Sequence, residues 1–209
     1  EDRLVYADPS RLFHYFHCGE SEDGRWLFVT GSAGTSGTEL LYKRKGEKRF
    51  KTLFEGFEYD YMVLDCYDDT ALVMTNNDAP NYRLVSVDLN TRVCHDLIPQ
   101  TDNPLEGVGT VGEYLFAFYL IDAQNKVLQY DRKGNLIREV ELPAIGSVGG
   151  FDSRREDKDT YYAVANYTTP GNIYHYNPET GVSTLYHASE VKFDGEQYTT
   201  SQIFFTSKD

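Results

Sequence analysis

The sequence is short of cysteine, short of basic residues, and without a long apolar run. Its 209 residues hold three cysteines, Cys18, Cys66 and Cys94. None sits in a C-x-x-C pair, and an odd count gives no disulfide framework. The three read as reduced thiols acting as small hydrophobes, which points to a cytoplasmic setting, with a bacterial periplasm as the alternative. The longest apolar run, Tyr114 to Ile121, has the length of a strand. A membrane-crossing helix needs about 18 residues or more, so no membrane partner is expected. The start, Glu1-Asp2-Arg3, shows no signal peptide.

Lys and Arg number 20 against 33 Asp and Glu, a formal net charge of −13. The densest basic patch, Lys43 to Lys51, is short and interrupted by Glu47. A phosphate backbone is repelled by such a surface, which excludes nucleic acid. The acidity reads as solubility.

Catalytic motifs are also missing. A nucleophile elbow needs G-x-S-x-G between a strand and a helix. Gly34-Thr35-Ser36-Gly37 has the wrong spacing, and Gly146-Ser147-Val148-Gly149-Gly150 places the serine one residue early. Both read as loops, and the chain carries no catalytic residue. His14-x-x-His17-Cys18 resembles a metal clip, but positions 14 and 17 of a strand point to opposite faces. No metal and no cofactor is expected. His175, between two tyrosines, reads as structural. Carboxylates converging as in a propeller glycosidase would need a pair that stands out, and none does.

Tyrosine and phenylalanine are abundant, at 17 and 12 residues. Aromatic residues fit the pleated, half-buried surface of a sheet. Strand signals recur at Trp26–Thr30, Glu39–Arg44, Tyr59–Leu64, Thr70–Thr75, Tyr82–Val87, Tyr114–Leu120, Lys126–Tyr130, Thr160–Val164, Asn172–Tyr176 and Ser201–Phe205. Turn clusters divide them, and no segment keeps a helical period. The fold class is all-β.

One strand type ends in a tight turn four times, led by Tyr42, Val87, Tyr130 and Tyr176, at separations of 45, 43 and 46 residues. In three of the four, Asp88, Asp131 or Asn177 follows and can cap the turn with its side chain. Units of about 40–45 residues with four strands each are the signature of propeller blades. Strands such as Ala71-Leu72-Val73-Met74 are apolar on both faces, as expected between neighbouring blades. The blades are expected at roughly 12–54, 55–99, 100–142 and 143–187. Tyr161, Tyr162, Tyr174 and Tyr176 read as blade packing rather than a ligand surface. An open arc of blades exposes apolar faces, so the isolated chain is expected to self-associate.

Several segments resemble one family. Ser21-Glu22-Asp23-Gly24-Arg25-Trp26 is similar to the S-x-D-G-R-aromatic blade turn of prolyl oligopeptidases. Gly56-Phe57-Glu58-Tyr59-Asp60-Tyr61 resembles their E-Y-D-Y segment, and Asn76-Asn77-Asp78-Ala79-Pro80-Asn81-Tyr82-Arg83-Leu84 their N-x-x-x-P-N-Y-R-L. Gly146-Ser147-Val148-Gly149 and Pro170-Gly171-Asn172-Ile173-Tyr174-His175 follow in family order. Ile203-Phe204-Phe205-Thr206-Ser207-Lys208-Asp209 resembles the strand leading to the hydrolase domain.

The resemblance implies about four blades of a seven-bladed propeller, beginning inside it, with 188–209 starting the connection to a missing α/β-hydrolase domain. That domain would carry a Ser-Asp-His triad and hydrolyse short peptides after proline, while the propeller admits peptides and excludes folded proteins. The implied partners are proline-containing peptides and the hydrolase domain of the same parent chain. The resemblance also implies two substrate-pocket contacts. An apolar one falls on Tyr15; a cysteine in the following loop falls near Gly34, where this chain has none. The competing reading is a stand-alone β-propeller interaction scaffold, against which no Gly-His…Trp-Asp signature recurs.

Overall fold

The computed structural model describes residues 4–192, 194–206 and 208. Among the described residues, sixteen strands form four four-stranded antiparallel sheets, each built from strands consecutive in the chain. The first holds β1 (Tyr15–Glu20), β2 (Trp26–Ser32), β3 (Thr38–Arg44) and β4 (Lys51–Phe54). The second holds β5 (Tyr61–Tyr67), β6 (Thr70–Thr75), β7 (Arg83–Asp88) and β8 (Cys94–Ile98). The third holds β9 (Leu105–Val111), β10 (Tyr114–Ile121), β11 (Gln124–Asp131) and β12 (Leu136–Glu139). The fourth holds β13 (Ser147–Gly150), β14 (Thr160–Ala165), β15 (Pro170–Asn177) and β16 (Val182–His187). The 3₁₀ turn Gly195–Gln197 follows. Among the described residues no helix is long and apolar enough to cross a membrane.

Burial is concentrated on the inner strands of the first two sheets, where five of the six residues of β6 and four of the seven of β2 are buried. In the third sheet it is shared by the inner strand β10, with four of eight, and the outer strand β9, with four of seven. The outer strands β4, β12 and β16 are exposed or half-exposed throughout. Two compact units result, one up to Val108 and one from Gly109. In the first, Trp26, Phe28, Leu40 and Tyr42 of the first sheet pack on Tyr61, Ala71, Val73 and Val85 of the second. In the second, Phe116 and Val127 of the third sheet pack with Phe151, Tyr162 and Tyr176. The Phe151 ring stacks on Phe116 at 4.8 Å and on Tyr162 at 4.4 Å. Tyr162 and Tyr176 are therefore packing residues, whereas Tyr161 is exposed.

The repeat turns close as their residues suggest. Asp88 Oδ1 accepts the N–H groups of Asn90 and Thr91 at 2.9 and 2.7 Å. Asp131 Oδ1 accepts those of Lys133 and Asn135 at 2.8 and 2.9 Å. Asn177 Oδ1 accepts those of Glu179 and Thr180 at 3.0 Å each. These bonds hold the Asp88 carboxyl below the usual aspartate range. The Asn135 side-chain amide, donating to Asp131 Oδ2 at 2.8 Å, does the same for Asp131, with the backbone bonds adding to it.

Two further sequence expectations fail. Ser201–Phe205 is irregular: among the described residues no strand pairs with it to complete a ladder. Ser147–Gly150, expected as a loop, is the edge strand β13, recruited by pairing with β14 despite its two glycines. Ser207 and Asp209 of the last motif, and the start Glu1-Asp2-Arg3, lie outside the described residues.

Candidate functional site

Tyr15 opens β1, and its register partner across the sheet is Ser32, the last residue of β2. The chain then leaves β2 through Ala33–Gly37 and re-enters as β3 at Thr38. Antiparallel order therefore brings Tyr15 and Gly34 to one end of the first sheet. The opposite end carries the turn that begins at Ser21. Tyr15 is 74 % exposed, and Gly34 is exposed with open space where a Cβ would sit.

The loop bearing Gly34 is free at its crown and fixed at its foot. Gly37 is buried with φ +77°, and a Cβ there would meet the Phe57 carbonyl oxygen at 1.8 Å. Only glycine fits such an approach. The Gly37 N–H donates to Asp60 Oδ1 at 2.8 Å, and the Thr38 N–H to the Tyr59 carbonyl at 2.8 Å. Thr38 Oγ1 accepts the Tyr61 N–H at 2.7 Å.

Asp60 is the hub of this end. Its Oδ2 accepts the Tyr82 hydroxyl at 2.6 Å, and its own N–H donates to Asn76 Oδ1 at 2.7 Å. Donating to a carboxylate pushes the Tyr82 phenol up to about 12, with burial adding to it. Tyr82 holds φ +64°, uncommon for a residue with a side chain. The E-Y-D-Y and P-N-Y segments are thus one cluster. It fastens the β2–β3 loop to the loop between β6 and β7. Both segments stand out in the sequence, but their joint role depends on partners 22 and 23 residues apart.

At the opposite end, Ser21 Oγ accepts the N–H groups of Arg25 and Trp26 at 3.1 and 2.9 Å. Arg25 Nη2 donates to Asp68 at 2.7 Å, and the Trp26 indole to the Asp68 carbonyl at 2.9 Å. The S-x-D-G-R turn is a strap between the first two sheets.

A second strap is the segment before β1. Glu39 is nearly buried, with 4 % of its side chain exposed, and is ion-paired to Arg11. Arg11 also lies 5.8 Å from the Phe57 ring centre.

The histidines do not gather. His14 precedes β1 and packs on Phe57, and His175 Nε2 meets Asp159 at 2.8 Å. No group of three or more His, Cys, Asp and Glu that could hold a metal ion occurs among the described residues. Burial pushes the Cys66 thiol up to about 12.

Comparison with known proteins accounts for this construction. Residues 1–189 match the family described as prolyl oligopeptidase, N-terminal β-propeller domain. The chain is 37 % identical to a prolyl endopeptidase of Elizabethkingia meningoseptica and 34 % identical to one of Elizabethkingia miricola. Each match covers all of this chain and 30 % of the relative. A solved structure from a study of two prolyl endopeptidases and their inter-domain dynamics superposes with a TM-score of 0.88. It is 30 % identical, over 99 % of this chain and 32 % of that one. Prolyl oligopeptidase B from Galerina marginata shares the fold, with a TM-score of 0.90 at 22 % identity, over 100 % of this chain and 31 % of its own. The chain thus spans about 30 % of the length of the curated relatives it matches. The four sheets are blades, and the chain belongs to the prolyl oligopeptidase family as part of its N-terminal β-propeller domain.

Proposed function

We propose that this chain is the gating portion of a serine endopeptidase that hydrolyses short peptides on the C-terminal side of proline. The observation that carries the reading is the match of residues 1–189 to the family's propeller. The chemistry belongs to a hydrolase domain of the same parent chain, which is its principal partner. The propeller admits extended peptides and excludes folded proteins. Closing over the reacting centre, it also keeps water out and strengthens the electrostatics there.

Tyr15 and the Gly34 loop are the substrate-facing contacts in this reading. Tyr15 offers a large, exposed ring to an apolar peptide side chain. Gly34 leaves room beside it, and the loop crown is free to adapt while Asp60 holds its foot. A reducing, cytoplasmic setting suits three free thiols. In isolation the chain self-associates through its open blade faces, where Tyr161, Leu185 and Tyr186 are exposed.

The test is to sequence the gene beyond the codon for Asp209 and assay the encoded protein on a blocked Gly-Pro-nitroanilide. The expected result is a G-x-S-x-G elbow followed by Asp and then His, with cleavage after proline. A full-length protein lacking the elbow, or indifferent to proline, overturns the proposal.

A further inference from the structure

The second unit contains an open cleft of about 540 Å³, within the range of ligand sites. Its walls are Ala123 and Gln124 where β10 turns into β11, the entry to β13, the loop from β14 to β15, and residues 200–202. Ala123, Ile145 and Ala165 supply apolar surface, and Gln124, Ser147 and Asn166 supply amide and hydroxyl groups. None of the lining residues is charged, in a chain whose formal charge is −13.

The walls are built to hold their shape. Asn166 Nδ2 donates to the Ile145 carbonyl at 2.6 Å, tying the β14–β15 loop to the approach of β13. Its Oδ1 accepts the N–H groups of Thr168 and Thr169 at 2.9 and 2.7 Å. Gly146 passes so close to the opposite wall that a Cβ would lie 2.3 Å from the Ala165 carbonyl oxygen. At the tip of this stiffened loop stands Tyr167, 95 % exposed. On the facing wall Ala123 holds φ +57° in a turn that glycine would fill without strain.

The chain's own residues 200–202 already lie along one flank. The Gln202 side chain bridges the Asp122 carbonyl and the Gln124 amide, and Thr200 meets Thr168 through their hydroxyls at 3.4 Å. Neutral amides and hydroxyls make every one of those contacts.

We infer that this cleft binds an extended, uncharged peptide segment carrying proline or an aromatic residue, which stacks on Tyr167. It is a second peptide subsite, separate from the Gly34 loop, and it rests on the reading of this chain as a peptide-handling propeller. A ring on the ligand finds the exposed phenol face, and its backbone amides find Gln124, Ser147 and Gln202. A charged residue would shed its water against a wall offering no counter-charge, so charged peptides bind worse.

The test is an amide NMR titration with acetyl-Gly-Pro-Gln-Pro-Phe-amide of the 209-residue chain, held at a concentration where light scattering shows it to be monomeric. The same peptide with Asp in place of Gln is titrated in parallel. Saturable shifts are expected at Gln124, Ser147 and Asn166. The apparent Kd rises at least about fivefold for the Asp peptide and for Tyr167→Ala, a variant that removes a side chain almost wholly in solvent. Silence at those amides, or shifts indifferent to both changes, overturns the subsite. Shifts confined to Gly31–Gly37 overturn the subsite and leave the peptide reading standing, whereas silence throughout the chain overturns both.

Discussion

Two glycines of one loop are predicted to behave in opposite ways. At Gly37 an alanine must adopt φ +77° and place its Cβ 1.8 Å from the Phe57 carbonyl oxygen. The backbone strain alone costs about 1 kcal/mol or more. The contact forces the two backbones apart by more than a hydrogen bond can stretch. The Gly37–Asp60 bond is charge-assisted and worth about 1.5–3 kcal/mol, and the neighbouring Thr38–Tyr59 bond about 1 kcal/mol. Together Gly37→Ala is expected to cost about 4 kcal/mol. At Gly34 a Cβ meets nothing within 4 Å, so Gly34→Ala stays within about 0.5 kcal/mol of the parent.

Urea unfolding followed by tryptophan fluorescence reads the difference directly. Trp26 is the single tryptophan and lies in the core of the same unit. With a urea slope of about 2 kcal/mol per molar, Gly37→Ala lowers the midpoint by about 2 M and Gly34→Ala leaves it in place. Equal midpoints for the two variants would refute the reasoning, because they would mean that the loop foot relaxes away from Phe57 at no cost.

Three further outcomes follow from the same unit. Arg11→Ala leaves the Glu39 carboxylate buried without its ion-pair partner and is expected to destabilise by about 3 kcal/mol; adding Glu39→Gln should recover part of that loss in a double-mutant cycle, and strict additivity would argue against the pair. Tyr82→Phe removes the phenol that donates to Asp60. Because folding raises this phenol from 10.0 to about 12, its stabilising contribution is complete below pH 10 and is lost as the pH climbs toward 12. The parent should therefore lose more of its Tm than Tyr82→Phe over that interval, and parallel curves would contradict the assignment. In native alkylation at pH 8 read by mass spectrometry, Cys18 and Cys94, both exposed, should react before Cys66, which is buried and pushed up to about 12; early labelling of Cys66 would contradict its burial.

The parts of the fold legible in the sequence are those set by local chemistry. Asp88, Asp131 and Asn177 announce the repeat turns because each caps its own backbone within two to four residues. The inner strands β2, β6 and β10 are legible because burial on both faces demands unbroken apolar runs. The outer strands are not. Cys94-His95-Asp96 of β8 and Leu136-Ile137-Arg138-Glu139 of β12 face solvent, and their neighbours rather than their composition make them strands. The glycine pair of β13 hides a strand for the same reason. At the candidate site, Tyr15 and Gly34 come from the family resemblance, and the register places them at one end of a blade. Asp60 escapes because its role needs Gly37 and Tyr82, both distant in sequence.

The repeat itself is kept at the level of the backbone, and its side chains vary around that constraint. Two residues after Val87, the carbonyl of Leu89 is buried where the second blade turns, and it accepts the Tyr42 hydroxyl of the first blade at 3.1 Å. Two residues after Tyr176, the carbonyl of Pro178 occupies the equivalent place in the fourth blade, and it accepts Gln129 Nε2 of the third at 2.8 Å. A buried carbonyl left without a donor costs about 1–3 kcal/mol, so within each unit the preceding blade supplies one. In the first unit a tyrosine does so. In the second a fully buried glutamine does, and its remaining oxygen is in turn satisfied by the Tyr176 hydroxyl at 2.8 Å. The recurring demand is the turn's carbonyl, not the residue that answers it. That is why the period of 43 to 46 residues can be read from turns and strand ends while the contacts holding one blade to the next share no common sequence. Gln129→Leu tests the point: it fills the same space, strands both the Pro178 carbonyl and the Tyr176 hydroxyl, and is expected to destabilise the second unit by about 3 kcal/mol, whereas a neutral effect would show that the turn carbonyl needs no partner.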